Sequence, residues 1–233
     1  MTEQSLCSHF GTCGGCATQD RPLAETHDAK RAHLQKALAR QGIEIDLPPL
    51  IDAHGAGRRR ATFNIRRGDK APIVGFSERA SHAIVNLDEC RLLEPGLWDR
   101  VEAIRALSEI FLRKTQAIRA LATLTETGID LDVAGFPGGA KALNADIRAR
   151  LAQRAAEFHF ARLSVGGEPI AALQPPRLRM GPAMISPPPG AFLQPTALGE
   201  ETLGTFAIET VTGAKNVADL FSGCGPFALR IAQ

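Results

Sequence analysis

The most regular pattern of apolar and polar positions lies between residues 58 and 66, where the two kinds of residue alternate. Successive side chains of a strand point to opposite faces of a sheet, so this alternation predicts a half-buried strand. Its apolar face would carry Ala61, Phe63 and Ile65. Its basic and polar face would carry Arg58, Arg60, Thr62, Asn64 and Arg66. A Gly68-Asp69 turn and a partner strand over Ile73–Ser77 would complete an antiparallel hairpin.

Further short apolar segments predict a larger antiparallel sheet with helices between its strands. The predicted strands cover residues 83–85, 118–125, 129–133, 161–165 and 169–173. Apolar residues recur at helical spacing after Pro22, after Pro95-Gly96 and after Asn144. Asparagine is a residue type that caps helices. The second predicted helix carries an apolar stripe of Leu97, Val101, Ile104, Leu107 and Phe111. We therefore expect an α+β fold built on an antiparallel sheet.

Residues 216–227 hold a different pattern, in which an apolar strand runs into a glycine-rich turn and a helix that begins at Pro226. A nucleotide-sized ligand binds at the carboxyl end of such a strand, because glycines let the backbone approach it closely. Gly223, Gly225 and Ala228 satisfy the loose fingerprint G-x-G-x-x-G/A, which is compatible with NAD and with S-adenosylmethionine (SAM). Proline-rich segments at 174–176 and 186–189 bracket the expected domain boundary.

Composition and charge narrow the class of protein. The chain has 233 residues, 44% of them hydrophobic, which allows a buried core in one large domain or two smaller ones. Its net charge of +2 means that a nucleic-acid surface would depend on local clustering. The sequence has neither a hydrophobic signal core nor an apolar run of about eighteen residues. We therefore expect a soluble cytoplasmic protein without membrane contact.

A local cluster of charge does exist between Arg58 and Lys70, where six basic residues accompany one acid. Guanidinium groups at alternate strand positions suit phosphate oxygens, which accept paired hydrogen bonds and dominate affinity for RNA. The same pattern is also typical of a solvated strand face that discourages pairing between sheet edges. Both interpretations are compatible with the pattern alone.

Three of the five cysteines, Cys7, Cys13 and Cys16, fall within ten residues. A metal or iron–sulfur centre needs four soft ligands, so the fourth would come from a distant position. Cys90 is the better candidate, because Cys224 lies inside the glycine-rich turn. The C-x5-C-x2-C spacing differs from the paired C-x2-C knuckles of zinc ribbons. It favours a [4Fe–4S] cluster, with a zinc site and ordinary thiols as the alternatives.

The spacing of these four cysteines is similar to that of the cluster ligands in the SAM-dependent RNA 5-methyluridine methyltransferases. The D-x-F-x-G-x-G sequence over residues 219–225 resembles that family's first SAM motif, and Phe192-Leu193-Gln194 resembles its F-x-Q segment. The resemblance implies four cluster ligands, Cys7, Cys13, Cys16 and Cys90. It implies cofactor contacts from Gln194, Asp219, Phe221, Gly223 and Gly225. It also favours RNA phosphates as the partners of Arg58, Arg60 and Arg66.

By this resemblance the protein would methylate C5 of a uridine in rRNA or tRNA, and it would act as a monomer. In the chemistry that the resemblance implies, a cysteine thiolate adds to C6 of a flipped-out uracil and C5 then takes the methyl group of SAM. A carboxylate finally removes the C5 proton. The family's catalytic cysteine and base belong to later motifs. We therefore expect no catalytic residue within this chain, and no methyl transfer by the chain alone.

The expected architecture has two parts. Residues 1–185 would form a cluster-bearing, RNA-recognising domain, and residues 186–233 would begin a Rossmann-like α/β methyltransferase domain that is incomplete. The main alternative is a non-catalytic iron–sulfur or zinc module that binds RNA. An NAD-dependent oxidoreductase is a weaker alternative, because a lone four-cysteine site usually has additional redox partners.

Overall fold

A seven-stranded sheet forms the centre of the computed structural model, which describes residues 6–232. Its strands are β1 (Arg60–Arg66), β2 (Ile73–Ser77), β3 (Ile84–Asn86), β4 (Ala117–Thr125), β5 (Gly128–Ala134), β6 (Phe160–Val165) and β7 (Glu168–Ala172). They lie in the order β3-β2-β1-β4-β5-β6-β7. A separate hairpin pairs β8 (Leu178–Met180) with β9 (Ala183–Ile185).

Three of the six described helices pack on the sheet. The six are α1 (Leu23–Ala39), α2 (Pro95–Trp98), α3 (Val101–Leu112), α4 (Ala145–Glu157), α5 (Ala197–Val211) and α6 (Ala228–Ile231), with a 3-10 turn over Gly139–Ala142. Helices α2, α3 and α4 pack on the strands, whereas α1 is peripheral and buries Thr26 alone among its residues. Asn144 caps α4 as predicted, because its side chain accepts the Ile147 N–H at 2.9 Å.

The predicted hairpin of β1 and β2 is confirmed, but the expectation of an antiparallel sheet is wrong for one pair of strands. Strand β1 pairs antiparallel with β2 and with β4, and β4 with β5. Strands β5 and β6 instead run parallel, with Leu131 opposite Leu163. A parallel pair needs a long crossover between its strands, and the 3-10 turn and α4 supply it. The sheet is therefore mixed.

The main core lies between the sheet and helices α2 to α4. Phe63 and Ile65 of β1 are fully buried there, as the alternation predicts. All five residues of the predicted apolar stripe are also buried. They lie on two helices rather than one, because Asp99 and Arg100 form a turn between α2 and α3. Burial of such side chains supplies roughly 1.5–3 kcal/mol each before the loss of conformational entropy.

A smaller apolar cluster lies beside the second hairpin. Leu178, Met180 and Leu193 are buried in it, and Cys224 and Leu229 pack against them. This cluster joins the hairpin to α6 and to the glycine loop, by which we mean residues 219–227.

The strand predicted at the start of the 216–227 motif is not formed. Residues 216–219 have no regular secondary structure, and Val217 and Leu220 are exposed. A strand persists where a neighbour takes its backbone hydrogen bonds, and no strand of the described residues lies beside this segment. The helix also begins later than predicted, at Ala228 rather than Pro226.

No helix within residues 6–232 is long and apolar enough to cross a membrane.

Candidate functional site

The loop that carries Cys7, Cys13 and Cys16 is docked on the end of β2. The Gly14 N–H donates to the Ser77 carbonyl at 2.9 Å, and Cys13 forms an isolated antiparallel bridge with Glu78. A methyl group at position 14 would lie 2.9 Å from the Ser77 carbonyl oxygen, so the close approach requires glycine. The contact holds Cys13 in a buried position, 6% exposed.

The segment that carries Cys90 follows β3 and also holds the N-terminal loop. The Ser8 N–H donates to the Glu89 carboxylate. The His9 Nε2 atom lies 2.6 Å from Asp88 Oδ1, although the two residues are 79 positions apart in the chain. These contacts bring Cys90 to the loop that carries the other three predicted ligands. We call these four cysteines the four-thiol site.

Hydrogen-bond donors surround the sulfur atoms of the four-thiol site. The Gly15 N–H donates to Cys13 Sγ at 3.4 Å, and the Gln19 amide donates to Cys16 Sγ at 3.2 Å. Gln19 also accepts the Cys7 N–H at 3.0 Å, so one side chain links two of the cysteines. Donors of this kind favour the thiolate, which is the form that binds metals.

The four thiols also act on one another electrostatically. Burial raises the pKa of Cys16, and the charges of Cys13, Cys7 and Cys90 raise it further, whereas Arg58 lowers it. Burial likewise raises the pKa of Cys90, against which the Leu92 and Leu93 N–H groups act. All five cysteines are free of disulfides. Four reduced thiols, which are soft ligands, therefore lie in one region of the fold.

The thiols are nevertheless not arranged as a ligand shell. Within residues 6–232, no group of three or more His, Cys, Asp or Glu side chains is placed to hold a metal ion. The structure thus gathers the four predicted ligands in one region with N–H donors around them. It does not bring their sulfur atoms to a common metal-binding geometry.

The glycine loop contains four of the five predicted cofactor residues. Asp219 accepts the Ala228 N–H at 3.1 Å and so caps the start of α6. Gly223 and Gly225 have φ values of 57° and 79°, a conformation that glycine adopts without steric cost. Phe221 has φ 61° and a fully exposed side chain, and this backbone conformation is uncommon for a bulky residue. The loop thus presents backbone and an aromatic ring to solvent.

The fifth predicted cofactor residue, Gln194, lies between the smaller apolar cluster and α5. It is half-buried, and its amide has no hydrogen-bond partner in the part of the chain that the structure describes. Thr196, two residues later, is committed to the fold: its hydroxyl accepts the Gly199 N–H at 3.1 Å and donates to the Ala53 carbonyl at 2.7 Å. Gln194 is therefore the polar side chain of this segment that remains available to a ligand.

Cys224 lies between the two loop glycines and packs against the smaller apolar cluster. Burial raises the pKa of its thiol, the negative charge of Glu200 raises it further, and Arg60 lowers it. A raised pKa keeps the thiol protonated near neutral pH, so Cys224 lacks the activation that a nucleophile needs. That Cys224 is not catalytic stays a prediction.

The three arginines predicted to share one exposed row do not share it. Arg58 precedes β1, and its backbone pairs with Leu92 and Leu93 beside the four-thiol site. Arg60 is half-buried: it donates to the Ala191 carbonyl at 2.7 Å, and its guanidinium lies 5.9 Å from the Phe192 ring centroid. Arg60 and Arg66 lie on the same face of β1, as predicted, but of the two only Arg66 is exposed. The prediction of a common exposed row is therefore wrong for Arg58, and for Arg60 it is right about the face and wrong about the exposure.

The sheet register supplies a different neighbour for Arg66. Arg119 of β4 lies opposite Asn64 of β1, and Ala117 lies opposite Arg66, so both guanidiniums occupy the same face. Both arginines are exposed, and neither has an ion-pair or hydrogen-bond partner for its side chain among residues 6–232. We call Thr62, Asn64, Arg66 and Arg119 the open sheet face. Arg119 was missed because it stands alone between apolar residues of β4, far from the basic segment.

Known proteins resemble this chain over nearly its whole length. No protein-family model matches it. An uncharacterized RNA methyltransferase of Caulobacter vibrioides is 35% identical over 230 residues, which cover 97% of this chain and 55% of the relative. One from Brucella suis is 36% identical over 231 residues, covering 99% of this chain and 55% of the relative. The chain spans about half the length of the curated relatives it matches.

Two further similarities concern proteins with a named substrate. The 23S rRNA (uracil(1939)-C(5))-methyltransferase RlmD of Halomonas elongata is 30% identical over 253 residues, covering 97% of this chain and 50% of that protein. The crystal structure of a Pyrococcus abyssi tRNA (uracil-54, C5)-methyltransferase in complex with S-adenosyl-L-homocysteine has a TM-score of 0.65 at 17% identity. That match covers 94% of this chain and 56% of the other, and it shows a shared fold. This chain is therefore similar over nearly its whole length to proteins named as RNA methyltransferases, and it shares the fold of a tRNA (uracil-54, C5)-methyltransferase.

Proposed function

We propose that this chain is part of a SAM-dependent methyltransferase that modifies C5 of a uridine in rRNA or tRNA. The observation that carries the proposal is the meeting of the glycine loop with the Phe192-Leu193-Gln194 segment. Leu193 is buried in the apolar cluster against which Cys224 packs. Arg60 donates to the Ala191 carbonyl, and its positive charge also lowers the pKa of Cys224. Two segments that are distant in sequence thus form one surface.

This surface has the parts that a SAM site needs. SAM would supply an electrophilic methyl group when bound. Gly223 and Gly225 allow the backbone to approach the ligand, and the exposed Phe221 ring offers an apolar face. The amide of Gln194 could donate to and accept from polar groups of the cofactor. The second oxygen of Asp219 has no hydrogen-bond partner among the described residues and could accept a cofactor hydroxyl or amine.

We propose the open sheet face as part of the RNA-binding surface. Two exposed guanidiniums on adjacent strands, Arg66 and Arg119, form a cationic strip, and no carboxylate stands on β1 or β4. Phosphate oxygens are the acceptors that suit such a strip. Arg58, near Cys16, is a second candidate contact at the other end of β1. Arg60 is engaged with Ala191 and Phe192 and is not a phosphate ligand in this proposal.

We further propose that the four-thiol site holds a [4Fe–4S] cluster. The support is the chemistry of the donor set, four thiols with N–H donors to their sulfur atoms, together with the four-cysteine spacing. Such a cluster would tie the loop before α1 to the segment after β3. Its role would be structural, because it would tie two chain segments together and none of its four cysteines lies in the glycine loop.

The division into two domains, residues 1–185 and 186–233, is also a proposal. The smaller apolar cluster is separate from the main core, but it crosses this boundary, with Leu178 and Met180 before it and Leu193 after it. These 233 residues are expected to transfer no methyl group by themselves. The reason is that four cysteines belong to the four-thiol site and the fifth, Cys224, has a raised pKa.

Binding of S-adenosylhomocysteine, measured by isothermal titration calorimetry, tests the cofactor assignment. A Gly223→Ala variant should bind the ligand more weakly, because a side chain at this open, positive-φ position would obstruct the backbone approach. Gly213→Ala is the matched control, since Gly213 has φ 84°, equally open surroundings and a place outside the loop. Equal affinity in both variants and the wild type would contradict the assignment.

A further inference from the structure

A buried carboxylate connects the sheet to the glycine loop. The side chain of Glu200, in the first turn of α5, is only 2% exposed. Its Oε2 atom lies 2.7 Å from an amino group of Arg59, and its Oε1 atom lies 3.3 Å from one of Arg230. Both arginine side chains are at most 10% exposed. A charge this deeply buried is retained only when it is paired, and here each oxygen has its own guanidinium.

The first partner, Arg59, is fixed to the sheet. Its N–H donates to the Pro195 carbonyl at 2.9 Å, and its own carbonyl accepts the Leu124 N–H at 2.7 Å. Arg59 therefore lies between β4 and Pro195, the residue after Gln194. Its Nε atom is buried and has no hydrogen-bond partner among the described residues, so the bond to Glu200 is its principal polar contact.

The second partner, Arg230, holds the glycine loop. Its other amino group donates to the Pro226 carbonyl at 2.7 Å, directly after Gly225. Its aliphatic part runs past two glycines: a methyl group at Gly204 would lie 2.5 Å from its Cδ, and one at Gly181 would lie 2.6 Å from its Cγ. The fold thus leaves a fitted channel for this side chain between α5 and the second hairpin.

We infer that Glu200 is a positioning residue for the glycine loop, because it fixes that loop to the start of β1 through Arg230 and Arg59. The inference rests on the proposed function, in which this loop binds SAM. It assigns no contact between Glu200 and the cofactor. Its consequence is that cofactor affinity depends on a carboxylate that the ligand does not touch.

Glu200→Gln tests this coupling, because it keeps the side-chain volume and removes the charge. The amides of residues 220–227 should exchange with deuterium faster than in the wild type, since the loop loses its anchor. The dissociation constant for S-adenosylhomocysteine should rise roughly 3- to 30-fold. Arg230→Lys keeps the positive charge but cannot bond both Glu200 and Pro226, so it should give the same two effects if Glu200→Gln fails to fold.

Asp130→Asn is the control, because Asp130 forms the other buried arginine pair, with Arg162 at 2.7 Å, inside the sheet. It should destabilise the protein without raising exchange in the glycine loop or changing ligand affinity by more than about twofold. Wild-type exchange and affinity in folded Glu200→Gln and Arg230→Lys would overturn the inference, as would an equal effect of Asp130→Asn. A wild-type protein that binds no S-adenosylhomocysteine would overturn the proposed cofactor site instead, and the exchange data would still decide whether Glu200 anchors the loop.

Discussion

At the residue scale, the arginines at the two ends of β1 show that a basic residue can bind a ligand only if internal contacts leave its guanidinium exposed. Arg59 and Arg60 are consecutive, and both side chains make internal contacts. Arg59 pairs with Glu200, and Arg60 donates to the Ala191 carbonyl. Arg66 is left exposed because it lies at the far end of the strand, where nothing covers the sheet face. The availability of a guanidinium therefore follows from what packs over each part of the strand.

Substitution of the two exposed arginines tests the open sheet face. Arg66→Ala and Arg119→Ala should each weaken binding to unrelated RNAs by a similar factor and lower the salt dependence by about one contact. The measurement is a series of filter-binding or fluorescence titrations at increasing salt. Arg113→Ala is the control, since Arg113 is exposed at the end of α3, on the face that the helices cover. If all three variants behave alike, the assigned face is wrong.

Cys224 permits a second test at this scale, based on its reactivity. Its pKa is raised by burial and by Glu200, so the thiolate should be scarce at neutral pH and should appear only as the pH rises above the ordinary range of a thiol. Alkylation with iodoacetamide, followed by peptide mass spectrometry against pH, measures this directly. Glu200→Gln should shift the profile to lower pH. Rapid alkylation at neutral pH in the wild type would contradict the account.

At the scale of elements, local patterns predicted most strands and the pairing of β1 with β2, but not the pairing of β5 with β6. The β1 alternation and the Asn144 cap depend on neighbouring residues, and both are confirmed. The parallel β5–β6 pair and the place of Arg119 depend on register between strands, which the local pattern of one segment does not contain. The segment at 216–219 has a strand-like composition, yet it lacks a paired neighbour among the described residues.

The iron and sulfide content of the purified protein tests the four-thiol site, which joins the loop of Cys7 to the segment of Cys90. Protein purified without oxygen should be brown, with iron and acid-labile sulfide in near-equal amounts. Cys90→Ala should lose the colour, because the fourth ligand is gone, whereas Cys224→Ser should keep it. Cys224 suits this control because it lies in the glycine loop and not among the four thiols. A colourless protein with stoichiometric zinc would contradict the cluster.

At the scale of the whole molecule, one sheet carries all the proposed parts. The four-thiol site lies beyond the ends of β2 and β3, and the open sheet face lies on β1 and β4. The glycine loop is joined through Arg230 and Glu200 to Arg59, directly before β1. RNA bound on the open sheet face would therefore lie on the same sheet that positions the glycine loop. The sequence motifs identified two of these parts separately, and the fold relates them to each other.

The central claim is methylation of uridine C5, and the most direct test is nucleoside analysis of cellular RNA. The gene that encodes this chain would be deleted from its host, and rRNA and tRNA fractions would be digested and measured by mass spectrometry. The account predicts that 5-methyluridine disappears from one position and returns when the intact gene is restored. An unchanged content of 5-methyluridine at every rRNA and tRNA position would contradict it.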